Sequence, residues 1–273
     1  MGFFGIDYSK PGPGVDPNEP RKKGVKRFFE ILGRDFSGFI LLNFFFCLFF
    51  FVPFVIFFFT YFFGTVLPPY FFVVSLLTAF PVGGVITTIV FCITKMLRDD
   101  PEYVWHDIKK KFPQYFKQGI LPGIFYTAYM FGQIFFLERI FTLNTEISIV
   151  ILAIEAFSLL MIGMIAPYVF LQIAYVDIKL MQIFKNSLFL SIANLPRSIM
   201  GAILGNLMWF FLWFLFPLSL YGLPVIMIFG FSITWLLVMM WIWEPVNNQF
   251  NIEQTLKERF DKELEEKKSI EEE

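Results

Sequence analysis

The chain has 273 residues, of which 57% are hydrophobic, 21% aromatic and only 16% charged, with a net charge of −1. Globular domains carry about 25% charged residues, so this composition points to a membrane protein. The charge balance offers no footing for a nucleic-acid partner, and the single histidine, His106, removes most zinc sites and any histidine base inside the membrane.

Residues 1–35 read as a cytoplasmic arm. Its first part is rich in turn residues (Lys10-Pro11-Gly12-Pro13-Gly14), and Arg21-Lys22-Lys23 and Lys26-Arg27 form a basic cluster. The apolar stretch that follows is too long for a signal peptide and lacks a small-residue cleavage site. Residues 36–246 then read as an all-α transmembrane domain of about six helices, at about 39–63, 71–93, 120–137, 147–173, 199–216 and 223–243. With the N-terminus inside, all but Arg139 of the 22 Lys and Arg residues fall on the cytoplasmic side. The positive-inside bias therefore predicts a multi-pass cell-membrane protein with both ends in the cytoplasm.

The second stretch, Phe71–Ile93, is uncharged but interrupted by Pro81-Val82-Gly83-Gly84. Proline there cannot donate to the carbonyl of Leu77, and two glycines make unwinding easy. Such a break is either a packing kink or a midplane solute contact. Beyond it, Asp100-Pro101 predicts a helix start, and Pro101–Phe112 a short cytoplasmic helix lying on the membrane. Val104, Trp105, Ile108 and Phe112 would face one side of it, Asp107, Lys109 and Lys110 the other, with Trp105 at headgroup level. Val176–Arg197 is open to reading as a second surface helix.

Glu155 lies well inside the fourth stretch, where a charge costs at least about 2.5–3.5 kcal/mol, so it should face protein or water. Tyr129, Gln133 and Arg139 are its candidate partners, in an interhelical hydrogen bond or a solute or proton contact. Gly201 and Gly205 form a GxxxG for close helix packing, within the chain or with a partner. The tail, 247–273, carries five Lys or Arg and nine Asp or Glu. Ile252, Leu256, Phe260 and Leu264 recur in it every four residues, a stripe suited either to docking on a protein or to a solvated helix. Cys47 and Cys92 sit in apolar runs and read as buried thiols. Neither a phosphate-binding GxxxxGK[ST] nor an HExxH is present, and no catalytic, cofactor or metal constellation is evident.

Several motifs together resemble the YesL family of bacterial membrane proteins. They are Leu41-Leu42-Asn43, Pro53, the proline–glycine break, and Arg98 followed by Tyr103-Val104-Trp105-His106-Asp107 and Phe116-Lys117-Gln118. The Gly-Pro-Gly-rich opening with its basic cluster is similar to a longer clostridial variant. Thr94 and Tyr115 stand where that family often has a basic residue and an asparagine. The resemblance implies a multi-span protein of unknown biochemical activity, commonly encoded beside carbohydrate ABC importers and glycan-degrading enzymes. The leading expectation is a non-enzymatic accessory protein of such an importer, whose permease or ATPase subunits would be its partners beside the lipid bilayer. Trp105, Asp107, Phe112 and Phe116, with the tail stripe, are the candidate partner contacts. The competing expectation is an autonomous small-solute transporter or channel using Pro81, Gly83, Gly84 and Glu155.

Overall fold

The computed structural model describes residues 21–62, 70, 73–74, 77, 80–101, 103–142, 149–214 and 226–271. Nine α-helices and no strand occur among them. In chain order they are α1 (Gly24–Arg34), α2 (Phe36–Phe62), α3 (Val82–Arg98), α4 (Val104–Thr142) and α5 (Ile149–Tyr175). Then come α6 (Leu180–Ala193), α7 (Leu195–Phe214), a π-helical turn (Ile226–Gly230), α8 (Phe231–Phe250) and α9 (Ile252–Glu271). Two helices, α5 and Ile228–Phe250, are long and apolar enough to cross a membrane. Two bent pairs, α1 with Phe36–Phe51 at 81° and α6 with Leu195–Leu207 at 105°, raise the number to as many as four. This is the build of a helical membrane protein.

Helix α3 is the axis of the bundle. Every residue from Val82 to Val90 is buried, because α2, α4, α5 and α8 pack around it. A helix enclosed on all sides cannot carry unmatched polar groups. Thr87 and Thr88 meet this demand by donating their hydroxyls to Gly83 O and Gly84 O one turn back, both at 2.7 Å. Aromatic rings fill the space between α2, α4 and α8. Phe46 stacks on Phe50 at 4.2 Å and lies 3.9 Å from Phe231, while Phe112 meets Phe45 edge-on at 5.3 Å.

One polar staple crosses this apolar region. Asn43, fully buried in α2, accepts from the backbone N–H groups of Phe231 (2.8 Å) and Ser232 (3.2 Å). Those are the first two amides of α8, where it continues from the π-helical turn. Ser232 returns the bond through its hydroxyl to Phe39 O at 2.9 Å. Asn43 thus holds the start of one helix from the side of another.

The expected surface helix is corrected. Helix α4 starts at Val104, not Pro101, and runs unbroken for 39 residues through Pro113, Pro122 and the third apolar stretch, a length of about 58 Å. Its faces differ too. Asp107 is buried beside Ile108, because Lys95 of α3 meets it at 2.6 Å, and Trp105 is 54% exposed with Lys109 over its ring. The helices that turn sharply against their neighbours are instead α1 and α6, the latter within Val176–Arg197.

Candidate functional site

The charged residues converge on the last turn of α3. Asp99 ends that helix in a left-handed conformation (φ 65°), and Asp100 N–H reaches back to Lys95 O at 3.1 Å. Met96 O accepts only a long 3.3 Å bond from Asp99 N–H, the last carbonyls beyond it need donors, and a helix C-terminus favours positive charge. Three guanidinium groups supply both. Arg34 donates to Met96 O at 2.7 Å, Arg27 to Leu97 O at 2.8 Å and Arg21 to Arg98 O at 2.9 Å.

The same arginines share one carboxylate. Arg27 contacts both oxygens of Asp99 at 2.7–2.8 Å, Arg21 lies 3.3 Å away, and Arg34 completes the set. Burial pushes the Asp99 carboxyl up, but the hydrogen bonds from Arg34 and Arg27 outweigh it and hold the group below its ordinary 3.8. For Arg34 the hydrogen bond to Asp35 leads, and with Asp99 it pushes the guanidinium further up.

Arg98 points the other way, into the bundle. Its side chain is 5% exposed and sandwiched between Tyr175 and Trp243, 5.1 and 5.2 Å from their ring centres. It pairs with Asp100 at 2.6 Å and donates to the Tyr175 hydroxyl at 2.8 Å. Burial opposes the charge of Arg98, yet Tyr175 and Asp100 raise its pKa above the ordinary value. Thr94 shares a hydrogen bond with Tyr175, and the indole of Trp243 donates to Glu253, which also accepts from Arg21. Tyr115 reaches Ala174 O at 3.0 Å, and Arg197 at the start of α7 pairs with Glu244 of α8 at 2.9 Å. The starts of α2, α4, α7 and α9 and the ends of α3, α5 and α8 are therefore tied together at one end of the molecule.

At the other end of α3, Gly83 and Gly84 are occupied by a helix crossing. A methyl group on Gly83 would lie 1.9 Å from Gly119 O, and one on Gly123 would lie 2.4 Å from Gly83 N. One on Gly84 would lie 2.7 Å from the Cα of Phe116. Pro81 is buried at the N-terminal boundary of α3. The glycine break therefore receives the backbone of α4. Gly119 and Gly123 were missed in the sequence although they form a GxxxG of their own, because Pro122 between them reads as a helix start.

The remaining candidates are distributed. Glu155 is half-buried, its carboxylate 3.3 Å from the Ser158 hydroxyl, which accepts from Tyr129 at 2.6 Å. The side chain of Arg139 lies outside the described residues. Gly201 faces Ile242 and Gly205 faces Val238, so the GxxxG of α7 packs on α8. Phe112 and Phe116 are half-buried against each other, and Phe112 also packs against Phe45 and Phe49 of α2. Ile252 is buried, Leu256 half-buried and Phe260 61% exposed, while the Leu264 side chain lies outside the described residues.

Between α2, α4, α5, α7 and α8 lies a cavity of ≈ 50 Å³, bordered by Phe50, Tyr126, Thr127, Asn206 and Trp235 among others. The buried Thr127 hydroxyl has no hydrogen-bond partner among the described residues. This space suits a few waters and falls far below the roughly 300–1,000 Å³ of pockets that enclose small-molecule ligands. Among the described residues no His, Cys, Asp and Glu side chains group to hold a metal ion. Comparison of the chain with protein-family models, curated proteins and solved structures gave no match.

Proposed function

We propose that this is a six-span membrane protein of the YesL family, both ends cytoplasmic, serving as a non-enzymatic accessory subunit of a carbohydrate ABC uptake system. The observation that carries the reading is the charged end of the bundle. There Arg21, Arg27, Arg34, Lys95 and Arg98 are each matched by an opposite charge, a carbonyl or both, as a clamp requires. From this clamp α9 projects with Phe260 exposed among charges. A rigid platform bearing a charged, striped helix suits holding another protein at the membrane surface. Asn43, Arg98 and Asp107, on which the resemblance rests, are each buried in a named interhelical contact. Helices starting and ending alternately at the charged end also agree with an even number of crossings.

The test is truncation after Asn251, with purification in mild detergent and mass spectrometry of what co-elutes. Permease or ATPase subunits should accompany the full chain and be lost from the truncated one, with membrane insertion intact. A truncated protein that keeps its partners and its sugar-dependent growth would sink the proposal. For topology, a cysteine at Thr142 should react with an impermeant thiol reagent in intact cells, and cysteines at Lys110 or Lys262 should not.

A second reading, an autonomous transporter, draws on the Glu155–Ser158–Tyr129 chain. Glu155→Gln would then abolish uptake without lowering expression. The small cavity and the filled glycine break favour the accessory reading.

A further inference from the structure

Helix α1 presents a chemistry that the clamp does not use. Its inner face carries Arg27 and Arg34, both engaged at the end of α3, and Ile31, which is fully buried. Its outer face is different. Val25 and Phe29, one turn apart, are 71% and 63% exposed, and Phe36 at the start of α2 is 47% exposed. Beside them Lys23 and Lys26 are exposed and have no acidic partner among the described residues. The acidic groups on this stretch are already taken. Glu30 accepts from Lys22 and Arg27, and Asp35 is paired with Arg34. The free charge on the outer face of α1 is therefore positive only.

Orientation adds the second constraint. Helix α1 turns by 81° against Phe36–Phe51 of the uncharged α2. A helix perpendicular to a membrane crossing lies in the membrane plane. At the same end of the bundle α6 turns by 105° and exposes Phe189, Met181 and Ile192, so apolar surface flanks the charged end on two sides. An in-plane helix with large apolar residues on one side and lysines next to them has the pattern of a lipid-interface helix. The cytoplasmic leaflet is usually negative, which complements lysines and not carboxylates.

We propose that α1 is an anionic-lipid-binding helix, with Lys23 and Lys26 on phospholipid phosphates and Val25 and Phe29 among the acyl chains. It rests on α2 crossing the bilayer, which the cysteine labelling above tests separately, and it requires no importer. Through Arg27 and Arg34 the lipid-bound helix is joined directly to the end of α3, so the leaflet sets the position of the clamp.

The experiment uses the full chain alone, in nanodiscs of phosphatidylcholine with or without phosphatidylglycerol, read by amide hydrogen exchange. Residues 24–34 should exchange up to about 25-fold more slowly with phosphatidylglycerol, since each of the two lysines near an anionic surface is worth about fivefold. The amides of α3 are the internal reference and should not change. The variant Lys23→Gln/Lys26→Gln should lose the lipid difference while α3 stays protected, and Phe29→Ser should exchange faster over residues 24–34 in both lipids. Equal exchange of α1 in the two lipids would overturn the proposal, as would a difference that survives in the double lysine variant. Protection produced by inorganic phosphate in phosphatidylcholine discs would overturn the lipid assignment, and protection only on adding a membrane-protein extract would make α1 a protein contact instead.

Discussion

At its first turn α3 presents Gly83 and Gly84 to the backbone of α4, whereas at its last turn its carbonyls are held by Arg21, Arg27 and Arg34. Both ends bind neighbouring helices, by unlike physics. The glycine end depends on distance alone, since dispersion falls off steeply and lipid offers no hydrophobic drive between helices. It tolerates no added atom. The arginine end depends on charge and direction, so it tolerates some substitution but responds to pH and to the number of donors. One helix is thus sterically fixed at one end and electrostatically fixed at the other.

The largest effect should come from the glycine end. Gly83→Leu puts a side chain where even a Cβ would lie 1.9 Å from Gly119 O, and should cost about 3–5 kcal/mol or prevent folding. Thermal unfolding in detergent would measure it. Gly205→Ala is the control, because its Cβ meets Val238 at an ordinary 3.4 Å and the cost should stay below about 1 kcal/mol. Equal losses in the two variants would remove the distinction between steric and ordinary glycines.

Next comes the shared carboxylate. Asp99→Ala leaves Arg21, Arg27 and Arg34 without a common counter-charge and puts a Cβ-bearing residue without a capping side chain at φ 65°, for a loss of about 2–3 kcal/mol. Asp99→Asn, which tolerates the left-handed conformation, should lose less. Arg27→Lys keeps the charge but not the fork that reaches Leu97 O and Asp99 together, at about 1–2 kcal/mol. A wild-type melting temperature for Asp99→Ala would show that the arginines act on the carbonyls alone.

The arginine end should also be the pH-sensitive one. Asp99 has its folded pKa depressed below 3.8, so its contribution is complete above that value and is lost as pH falls through the lower, folded pKa. Acid titration of stability should show a downward step below about pH 4 in the wild type that is smaller in Asp99→Asn. Identical acid profiles would contradict the ion-pair account. The smallest effect is expected at Thr127→Val. The hydroxyl there has no partner among the described residues, so a methyl of similar size should be neutral or stabilise by up to about 1 kcal/mol. A loss of stability would mean that the hydroxyl is bonded to water in the cavity.

From composition and charge alone the sequence determined that the chain is helical and belongs with membrane proteins, because apolar runs and the bias of lysine and arginine are local properties. It also marked Asn43, Arg98, Asp107 and Gly201 as unusual. What each of them touches was decided by tertiary structure. Asp107 read as a solvent-facing residue of a surface helix, since nothing local reveals that Lys95 waits across α3 and makes burial tolerable. The Pro81–Gly84 break read first as a packing kink and second as a midplane solute contact; that it is filled by Gly119 and Gly123 only the packing shows. Arg27 looked like part of a basic cluster, and nothing in the sequence singled out Arg34. That they cap a helix some 62 to 72 residues away follows from the packing of α1 across the end of α3. Hydropathy is a sum over neighbours in sequence. Ion pairs, caps and glycine crossings are set by neighbours in space, and in this chain those partners are brought together by the packing around α3.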